Sequence, residues 1–308
     1  MKTIFTMVRR RRRMLMLANP SHWTLTGHSR AGERTGLWLD PVKLALDAGM
    51  VSQKKPTAVL LSHSHYDHTS ALPQLVYSRH QDHQHNIPEQ ESLCGRPVLM
   101  PTEAELPIQR MMEAVLSLSR GEASSVEEMA KEDLWRRQGY HPFPVRPSDK
   151  VTIPGLKDLR VEVLAAYHRC MSVGYGISSV KRKLRQKFKE AKKEDIIAAR
   201  KSGEEVTEEV AVPEMVFFCD STIENLTKHD EWKRFPVLVV ECTGYPLRHT
   251  VESHVGHTHL SQLEEVMVEH KEKQWVLVHA SSTMRSQELA EEEARLKSLG
   301  LNVVILRD

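Results

Sequence analysis

The stretch LLSHSHYDHTSALPQL, residues 60–75, contains three histidines and an aspartate within six consecutive positions. Shuffling a chain with 17 histidines in 308 residues would give the pattern His-x-His-x-Asp-His only about 0.002 times. The apolar run at residues 57–62 is typical of a buried strand. Polar groups this close together in a protein interior need partners, and a divalent metal ion is the simplest one. The stretch therefore predicts metal ligands in a cleft at a strand end: His63, His65, Asp67 and His68.

The overall composition is that of a globular chain with its own core. Apolar residues make up 40% of the chain, and no run approaches the ~18 to 20 apolar residues that span a bilayer, so we expect no membrane partner. The four cysteines contain no C-x-x-C pair, which favours an intracellular compartment and metal ligands of nitrogen and oxygen. We interpret them as small core residues: Cys94, Cys170, Cys219 and Cys242.

The N-terminal segment is rich in arginine and contains no acid before Glu33. Five consecutive arginines at residues 9–13 are typical of an organellar transit peptide, of a nuclear-import or RNA-contacting segment, and of a disordered tail. Composition alone leaves these alternatives open. We expect residues 1–21 to be a basic, disordered leader and residues 22–308 to form one domain, in the cytoplasm or nucleus with an organelle as the alternative.

Three later apolar runs each end in a single side chain suited to metal binding, namely His168, Asp220 and His279. Open α/β sheets build their sites at strand ends, so these residues are candidates for the same site as the histidine cluster. Strands followed by mixed strands and helices, repeated once, predict a layered α/β fold with sheets inside and helices outside. Helix-forming periodicity is found at residues 103–118, 126–137, 261–270 and 287–299, and residues 80–91, with three histidines, are interpreted as a loop.

The cluster, followed by His, Asp and His at later strand ends, resembles the metallo-β-lactamase superfamily. More narrowly, the chain resembles the ribonuclease Z family of tRNA 3′-processing endonucleases in its short form. The strings that carry this resemblance are HRCMSVGYGI at 168–177, VECT at 240–243 and GHTHLSQ at 256–262. The chain departs from the family pattern at Cys219, where the family has glycine, and at Thr283-Met284, where it has Arg-Tyr. The resemblance implies an αββα sandwich with an inserted basic arm.

The resemblance also implies a centre with two metal ions. One ion would be held by His63, His65 and His168, and the other by Asp67, His68 and His279. Asp220 would bridge the two ions, and Asp47 would support the ligands from behind. Imidazole and carboxylate ligands suit zinc, with manganese or iron as alternatives because no thiolate enforces the choice.

Catalytic roles follow from the same resemblance. Asp67 would orient the attacking hydroxide, and His257 would donate a proton to the leaving oxygen while Glu241 orients its ring. His259 is the competing candidate for the role of His257. The activity implied is metal-dependent removal of the 3′ trailer from precursor tRNA, by a protein that acts as a homodimer.

Residues 178–212 form a charged insertion. Within it, residues 181–203 hold ten lysines and arginines against three acids. A charge run is most often a solvated face. In the family, however, an arm that grips tRNA is inserted between the corresponding histidine and aspartate motifs, and cationic side chains supply most nonspecific affinity for nucleic acid. The resemblance thus implies RNA contacts by Lys181, Arg182, Lys183, Arg185, Lys187, Lys189, Lys192 and Lys193.

Three other functions fit the sequence. A small-molecule metallo-hydrolase acting on a cyclic nucleotide, thioester or lactone would use the same ligands but would not need the arm. A nuclease for a different RNA would need both. A non-catalytic RNA-binding paralogue would need only the arm, and the complete set of candidate ligands argues against it.

Overall fold

The computed structural model describes residues 14–52, 54–76, 95–121 and 140–307. Several predicted features lie outside these residues: residues 1–13 of the leader, the loop at 80–91, Cys94 and the helix at 126–137. Among the described residues, no helix is long and apolar enough to cross a membrane.

Two β-sheets form the centre of the molecule. Their strands are β1 (Leu15–Met16), β2 (Thr24–Ala31), β3 (Arg34–Asp40), β4 (Leu44–Leu46), β5 (Ala58–Leu60), β6 (Arg96–Pro101), β7 (Tyr140–Val145), β8 (Lys150–Val151), β9 (Leu159–Ala166), β10 (Ser172–Leu184), β11 (Thr207–Phe218), β12 (Val237–Glu241), β13 (Gln274–Val278), β14 (Ala280–Ser281) and β15 (Asn302–Ile305). The first sheet has the order β1-β2-β3-β4-β5-β6-β7, with β14 paired to β2. The second has the order β15-β13-β12-β11-β10-β9-β8.

The structure describes seven α-helices, several of which pack on the outer faces of the two sheets. They are α1 (Tyr66–Thr69), α2 (Leu72–Val76), α3 (Glu105–Arg120), α4 (Lys193–Lys201), α5 (Glu224–Thr227), α6 (Leu260–Glu269) and α7 (Ser286–Ser298). Short 3-10 helices occur at Thr102–Ala104, Gln186–Phe188, Glu231–Arg234 and Val251–His254. The predicted helices at 103–118, 261–270 and 287–299 correspond to α3, α6 and α7 and are confirmed.

The period-2 alternation of β12 shows how the layers are built. Val237 and Val239 face the core between the sheets, whereas Leu238 and Val240 face the helices. Parallel strands that are buried on both faces are expected to be apolar, and β12 is apolar from Val237 to Val240 before it ends in Glu241. A third apolar cluster joins the outer face of the first sheet to α2 and α3. The predicted αββα sandwich is therefore confirmed.

Strand direction brings the predicted ligands to one edge. In the second sheet β11, β12 and β13 are parallel neighbours, so their carboxyl ends lie side by side. Asp220 follows β11, Glu241 ends β12 and His279 follows β13. From the first sheet, β5 leads directly into His63. The site thus lies where strand ends of both sheets meet.

The predicted boundary of the leader at residue 21 is corrected by the structure. Leu15 pairs with Leu25 of β2, and Leu17 is 2% exposed within the core between the sheets. Ser21 donates a backbone hydrogen bond to the Glu214 carboxylate at 3.0 Å. The cause is burial of the two leucines of this segment: Leu17 is buried and Leu15 is half-buried, whereas Met14 and Met16 are exposed. The domain therefore begins before residue 21.

The charged insertion is a β-hairpin capped by helical turns. Strands β10 and β11 stay paired from Tyr175↔Phe217 out to Leu184↔Thr207, beyond the other strands of the sheet. The 3-10 helix Gln186–Phe188 and helix α4 close the hairpin, with Phe188 buried beneath them. The predicted arm is thus an ordered extension of two core strands, which we name the basic arm (residues 178–212).

Candidate metal centre

The histidine cluster occupies the turn between β5 and α1. His63 follows the strand, His65 immediately precedes the helix, and Asp67 and His68 lie on it. His63 and His68 are 0% exposed, whereas His65 and Asp67 are half-buried. The short helix turns Asp67 and His68 back toward the strand end, so the four side chains converge on one place.

Asp47 holds this turn in position. Its carboxylate accepts hydrogen bonds from the Ser62 backbone at 2.7 Å, from the Ser62 hydroxyl at 2.9 Å and from His68 Nδ1 at 2.8 Å. Asp47 has a left-handed φ of 57°, a conformation that is uncommon outside glycine and that clusters at functional sites. The structure therefore places Asp47 directly behind the cluster, as the resemblance implies.

Asp220 lies at the centre of the ligand set. Its carboxylate oxygens are 3.1 Å from His279 Nε2, 3.3 Å from His68 Nε2, 3.5 Å from His63 Nε2 and 3.9 Å from His168 Nε2. Burial raises the pKa of Asp220, but the surrounding imidazoles, His279 foremost, outweigh burial and hold that pKa well below its usual range. An ionised carboxylate amid four imidazole nitrogens has the arrangement of a bridging ligand.

The predicted ligands fall into two groups around Asp220. His63, His65 and His168 have donor atoms within 4.8 Å of one another. Asp67, His68 and His279 form a second such group, in which Asp67 Oδ2 lies 3.4 Å from His68 Nε2 and 3.6 Å from His279 Nε2. All seven predicted ligands are thus brought together, divided as the resemblance implies.

Hydrogen bonds to Nδ1 fix the tautomers of four of the histidines. His68 donates to Asp47, and His168 donates to the Gly256 carbonyl at 2.7 Å. The Ser62 hydroxyl donates to Asp47 and the Thr243 hydroxyl donates to Glu241, so their oxygens accept from His63 and His279 at 2.9 and 3.1 Å. When Nδ1 carries the ring proton, each of these rings has Nε2, which points toward Asp220, free to bind a metal.

The surroundings of two of these Nε2 atoms indicate that the site suits a cation. Nε2 of His63 and Nε2 of His168 are buried and have no hydrogen-bond partner in the described structure. A buried unpaired polar atom is costly and rare. Burial and the neighbouring His68 also lower the pKa of His63 well below its ordinary value, which favours the neutral imidazole. A divalent cation suits this donor set of imidazoles and carboxylates.

His257 lies beside the two groups and is held by Glu241. His257 Nδ1 donates to Glu241 Oε1 at 3.0 Å, and the same oxygen accepts from the backbone of Ser221 and of Thr258. Thr243 donates to the other oxygen through its backbone and its hydroxyl. Burial lowers the pKa of His257, but the hydrogen bond that its ring donates to Glu241 outweighs burial and raises that pKa above its ordinary value. The ring can therefore carry a proton near neutral pH.

His259, the competing candidate, has a structural position. Its side chain accepts a hydrogen bond from the Ser261 backbone as the N-cap of α6, and its other nitrogen bonds the His249 carbonyl. Both ring nitrogens are thereby used away from Asp220. The structure thus favours His257 over His259 for proton transfer.

An open cavity of about 510 Å³ gives access to the centre. Asp67, His257 and His279 line it together with the side chain of Arg169. Arg169 is exposed, and no acidic side chain of the described residues lies within ion-pair distance of its guanidinium. An unpaired guanidinium at the rim of such a cavity is suited to an anion.

The sequence-based interpretation missed three residues at this site. Ser62 and Thr243 orient His63 and His279. Thr243 belongs to the VECT string, which supported the family resemblance but did not indicate a function for this threonine. Cys170 is not a core residue as predicted: it is only half-buried, and its Sγ lies 3.6 Å from His65 Nε2. The prediction of buried cysteines is confirmed for Cys219 and Cys242.

Two strings of the sequence have packing roles. A Cβ at Gly174 would lie 2.2 Å from the ring of Phe218, and Tyr175 is buried with its hydroxyl donating to the Leu61 carbonyl. Thr283 and Met284 replace the Arg-Tyr pair of the family pattern. Thr283 forms a hydrogen bond with the side chain of His249, and Met284 is buried in the core beneath the helices. These residues shape the fold around the site.

The eight predicted RNA-binding side chains of the basic arm are all exposed. Lys187 pairs with Glu204, while the other seven have no acidic side chain of the described residues within 4.0 Å. Four glutamates on the returning segment, at positions 204, 205, 208 and 209, lower the net charge of the whole arm. The whole arm therefore carries ten basic and seven acidic side chains.

Residues 30–164 match the family model of the metallo-β-lactamase superfamily. The chain is 25% identical over 282 residues to the chloroplastic tRNase Z TRZ2 of Arabidopsis thaliana, covering 90% of this chain and 72% of the relative. It is 24% identical to tRNase Z TRZ1 of the same organism, and the alignment covers 87% of this chain and 88% of the relative. The structure resembles the metallo-β-lactamase fold protein YhfI from Bacillus subtilis, with a TM-score of 0.52, 14% identity and coverage of 90% and 93%. Residues 30–164 are therefore similar to the metallo-β-lactamase superfamily, and the chain shares the two-sheet fold of YhfI.

Proposed function

We propose that this protein is a metal-dependent endoribonuclease that removes the 3′ trailer from precursor tRNA. The observation that carries the proposal is the juxtaposition of an Asp220-centred ligand set and His257, a protonatable ring held by Glu241. Further support comes from the names of the two curated relatives and from the exposed basic arm. Precursor tRNA is the proposed substrate, and a homodimer remains a prediction.

The ligand set would hold two divalent metal ions in the two groups described above. Zinc is the ion proposed, with manganese and iron as alternatives. When bound, such a pair supplies Lewis-acid polarisation of a phosphodiester and an attacking water of lowered pKa.

The chain's own side chains would position and protonate the reactants. Burial raises the pKa of Asp67, but hydrogen bonds with His279 and His68 outweigh it and lower that pKa, so the carboxylate stays ionised and can orient the attacking water. His257, with Nδ1 bound to Glu241, would donate from Nε2 to the leaving 3′-oxygen. The guanidinium of Arg169 would bind a phosphate oxygen at the cavity rim.

The basic arm would provide affinity for a large polyanion. Its exposed lysines and arginines can neutralise phosphates of an RNA, which supplies most sequence-independent affinity. A small substrate that fits in the cavity would have no need of this surface.

The deciding experiment is cleavage of a 3′-extended precursor tRNA with added zinc. Wild type should release the trailer and leave a 3′-hydroxyl, while His65→Ala should be inactive. A variant in which an Asn-Gly turn replaces residues 185–206 joins the paired ends Leu184 and Thr207, and it should bind RNA weakly while keeping its fold. Intact precursor tRNA after incubation with zinc-loaded wild type would refute the proposal.

A small-molecule metallo-hydrolase is the second candidate. The observation in its favour is the cavity volume of about 510 Å³, which lies in the range of small-ligand pockets. Hydrolysis of bis(p-nitrophenyl) phosphate, unchanged by loss of the arm and unaccompanied by cleavage of precursor tRNA, would select this candidate.

A further inference from the structure

Cys170 places a sulfur atom among three histidines of the metal centre. Its Sγ lies 3.6 Å from His65 Nε2, and its donor atom lies within 4.8 Å of those of His63, His65 and His168. Four side chains with donors this close together are able to share one metal ion. The thiol is also only half-buried, unlike those of Cys219 and Cys242.

An independent observation shows that this group lacks a partner. His63 is fully buried, and its Nε2 has no hydrogen bond in the described structure. Its Nδ1 is bound to Ser62, so the free nitrogen faces the other donors of the group. The same holds for Nε2 of His168, whose Nδ1 is bound to Gly256. A cation bound by both nitrogens would also lie within reach of the sulfur.

We propose that Cys170 is a further side-chain ligand, in addition to Asp220, of the metal ion held by His63, His65 and His168, and that it makes this position selective for zinc. The inference rests on the metal centre proposed above, but not on RNA as substrate. When the ion binds, the S–H bond breaks, a sulfur–metal bond forms and the proton passes to solvent. A soft thiolate favours zinc over manganese, whereas imidazoles accept both ions.

Cys219 provides the matched control. It too lies near possible ligands, Asp47 and His68. Those two groups are already paired with each other through the 2.8 Å hydrogen bond from His68 Nδ1, and Asp47 also accepts two bonds from Ser62. The thiol of Cys219 is itself buried and donates to Asp220 Oδ1 at 3.6 Å, so we expect no metal–sulfur bond from it.

X-ray absorption spectroscopy of the zinc-loaded protein tests the proposal. Wild type and Cys219→Ser should show a sulfur shell at about 2.3 Å, and Cys170→Ser should retain zinc with nitrogen and oxygen neighbours only. Wild-type zinc without a sulfur neighbour would overturn the role of Cys170 and leave the metal centre standing. A sulfur shell that persists in Cys170→Ser would also overturn it, and failure of wild type to bind zinc would overturn both proposals.

A measurement on wild type alone covers the case in which Cys170→Ser does not fold. Alkylation by iodoacetamide, mapped by mass spectrometry, should be at least about tenfold slower at Cys170 with zinc than after chelation, because only the free thiolate is nucleophilic. Equal rates with and without zinc would contradict metal binding by Cys170. Loading from an equimolar mixture of zinc and manganese tests the selectivity: the zinc fraction should fall in Cys170→Ser, and an unchanged fraction would refute zinc selection.

Discussion

Glu241 Oε1 lies 3.0 Å from Nδ1 of His257 and accepts two further backbone hydrogen bonds, from Ser221 and Thr258. The carboxylate is therefore fixed before any substrate binds, and it fixes the ring. This relationship links the end of β12 to the segment that precedes α6, and it places a proton donor beside the proposed ligands.

Replacement of His257 tests its role in proton transfer. His257→Ala should lower kcat for RNA cleavage by about 10² to 10⁴-fold, the usual contribution of a general acid. Bound metal should be unchanged, because His257 lies outside the seven proposed ligands. Single-turnover kinetics and metal analysis check both expectations.

His259 offers the matched control. His259→Ala removes the N-cap of α6 and should lower the free energy of unfolding by about 1 kcal/mol with little change in kcat. A loss of activity in His259→Ala, together with an active His257→Ala, would reverse the two assignments.

Gly49 should be needed for the approach of α1. A Cβ at this position would lie 1.7 Å from the Asp67 carbonyl oxygen and 2.8 Å from the Thr35 backbone nitrogen, neither of which can move cheaply. Gly49→Ala should cost about 1 to 3 kcal/mol in urea unfolding and reduce bound metal, because Asp67 is displaced. Gly300→Ala meets no atom within 4 Å and should cost only about 1 kcal/mol, through its left-handed backbone, with metal unchanged. Equal effects of the two substitutions would refute the steric argument.

Glu293 should make stability depend on acidic pH. Burial raises its pKa, but hydrogen bonds from Lys297 at 2.6 Å and from the Ile305 backbone at 3.0 Å outweigh burial and lower it. A carboxylate with a lowered pKa stabilises the fold at pH values above its ordinary pKa of about 4.5. This stabilisation is lost as the pH falls through the lowered pKa. The difference in Tm between wild type and Glu293→Gln should be largest at pH 7 and shrink toward pH 3.

The exposed Glu291→Gln provides the comparison for that series. Its Tm should differ little from that of wild type at either pH. A constant difference for Glu293→Gln between pH 7 and pH 3 would contradict the proposed stabilisation.

Neutral substitutions in the basic arm should weaken RNA binding without altering the centre. The variant chosen replaces four lysines by glutamine: Lys187, Lys189, Lys192 and Lys193. The slope of log K against log salt should fall by roughly 0.7 to 0.9 for each lysine that contacts a phosphate. Hydrolysis of a small phosphodiester should stay unchanged. An unchanged salt slope would show that RNA binds elsewhere.

Residue types and strand-end positions were enough to predict a layered α/β fold and to bring His63 and His279 to one site, since apolar strands that end in polar residues leave few other arrangements. The αββα sandwich was implied by the family resemblance. The same reasoning did not identify β7, Tyr140–Val145, because two prolines interrupt its pattern. It also missed β10, Ser172–Leu184, whose core half continues into a charged half.

The hydrogen-bond partners of the side chains at the site could not be predicted from the sequence. Cysteine is a residue type that is usually buried in the core, and only the fold shows that the sulfur of Cys170 lies beside His65. Ser62 and Thr243 are ordinary hydroxyl residues whose role depends on hydrogen bonds made across the two sheets. Such contacts come from tertiary geometry that local patterns do not encode.

The most direct test of the central claim is the metal content of the purified protein after reconstitution with zinc and removal of unbound ion. The claim is that seven side chains, Asp220 at their centre, hold two metal ions. Mass spectrometry of the metal should give about two zinc ions per wild-type chain, and clearly fewer for a folded Asp220→Asn variant, since that residue contacts both groups. A folded wild-type protein that retains no zinc would contradict the account.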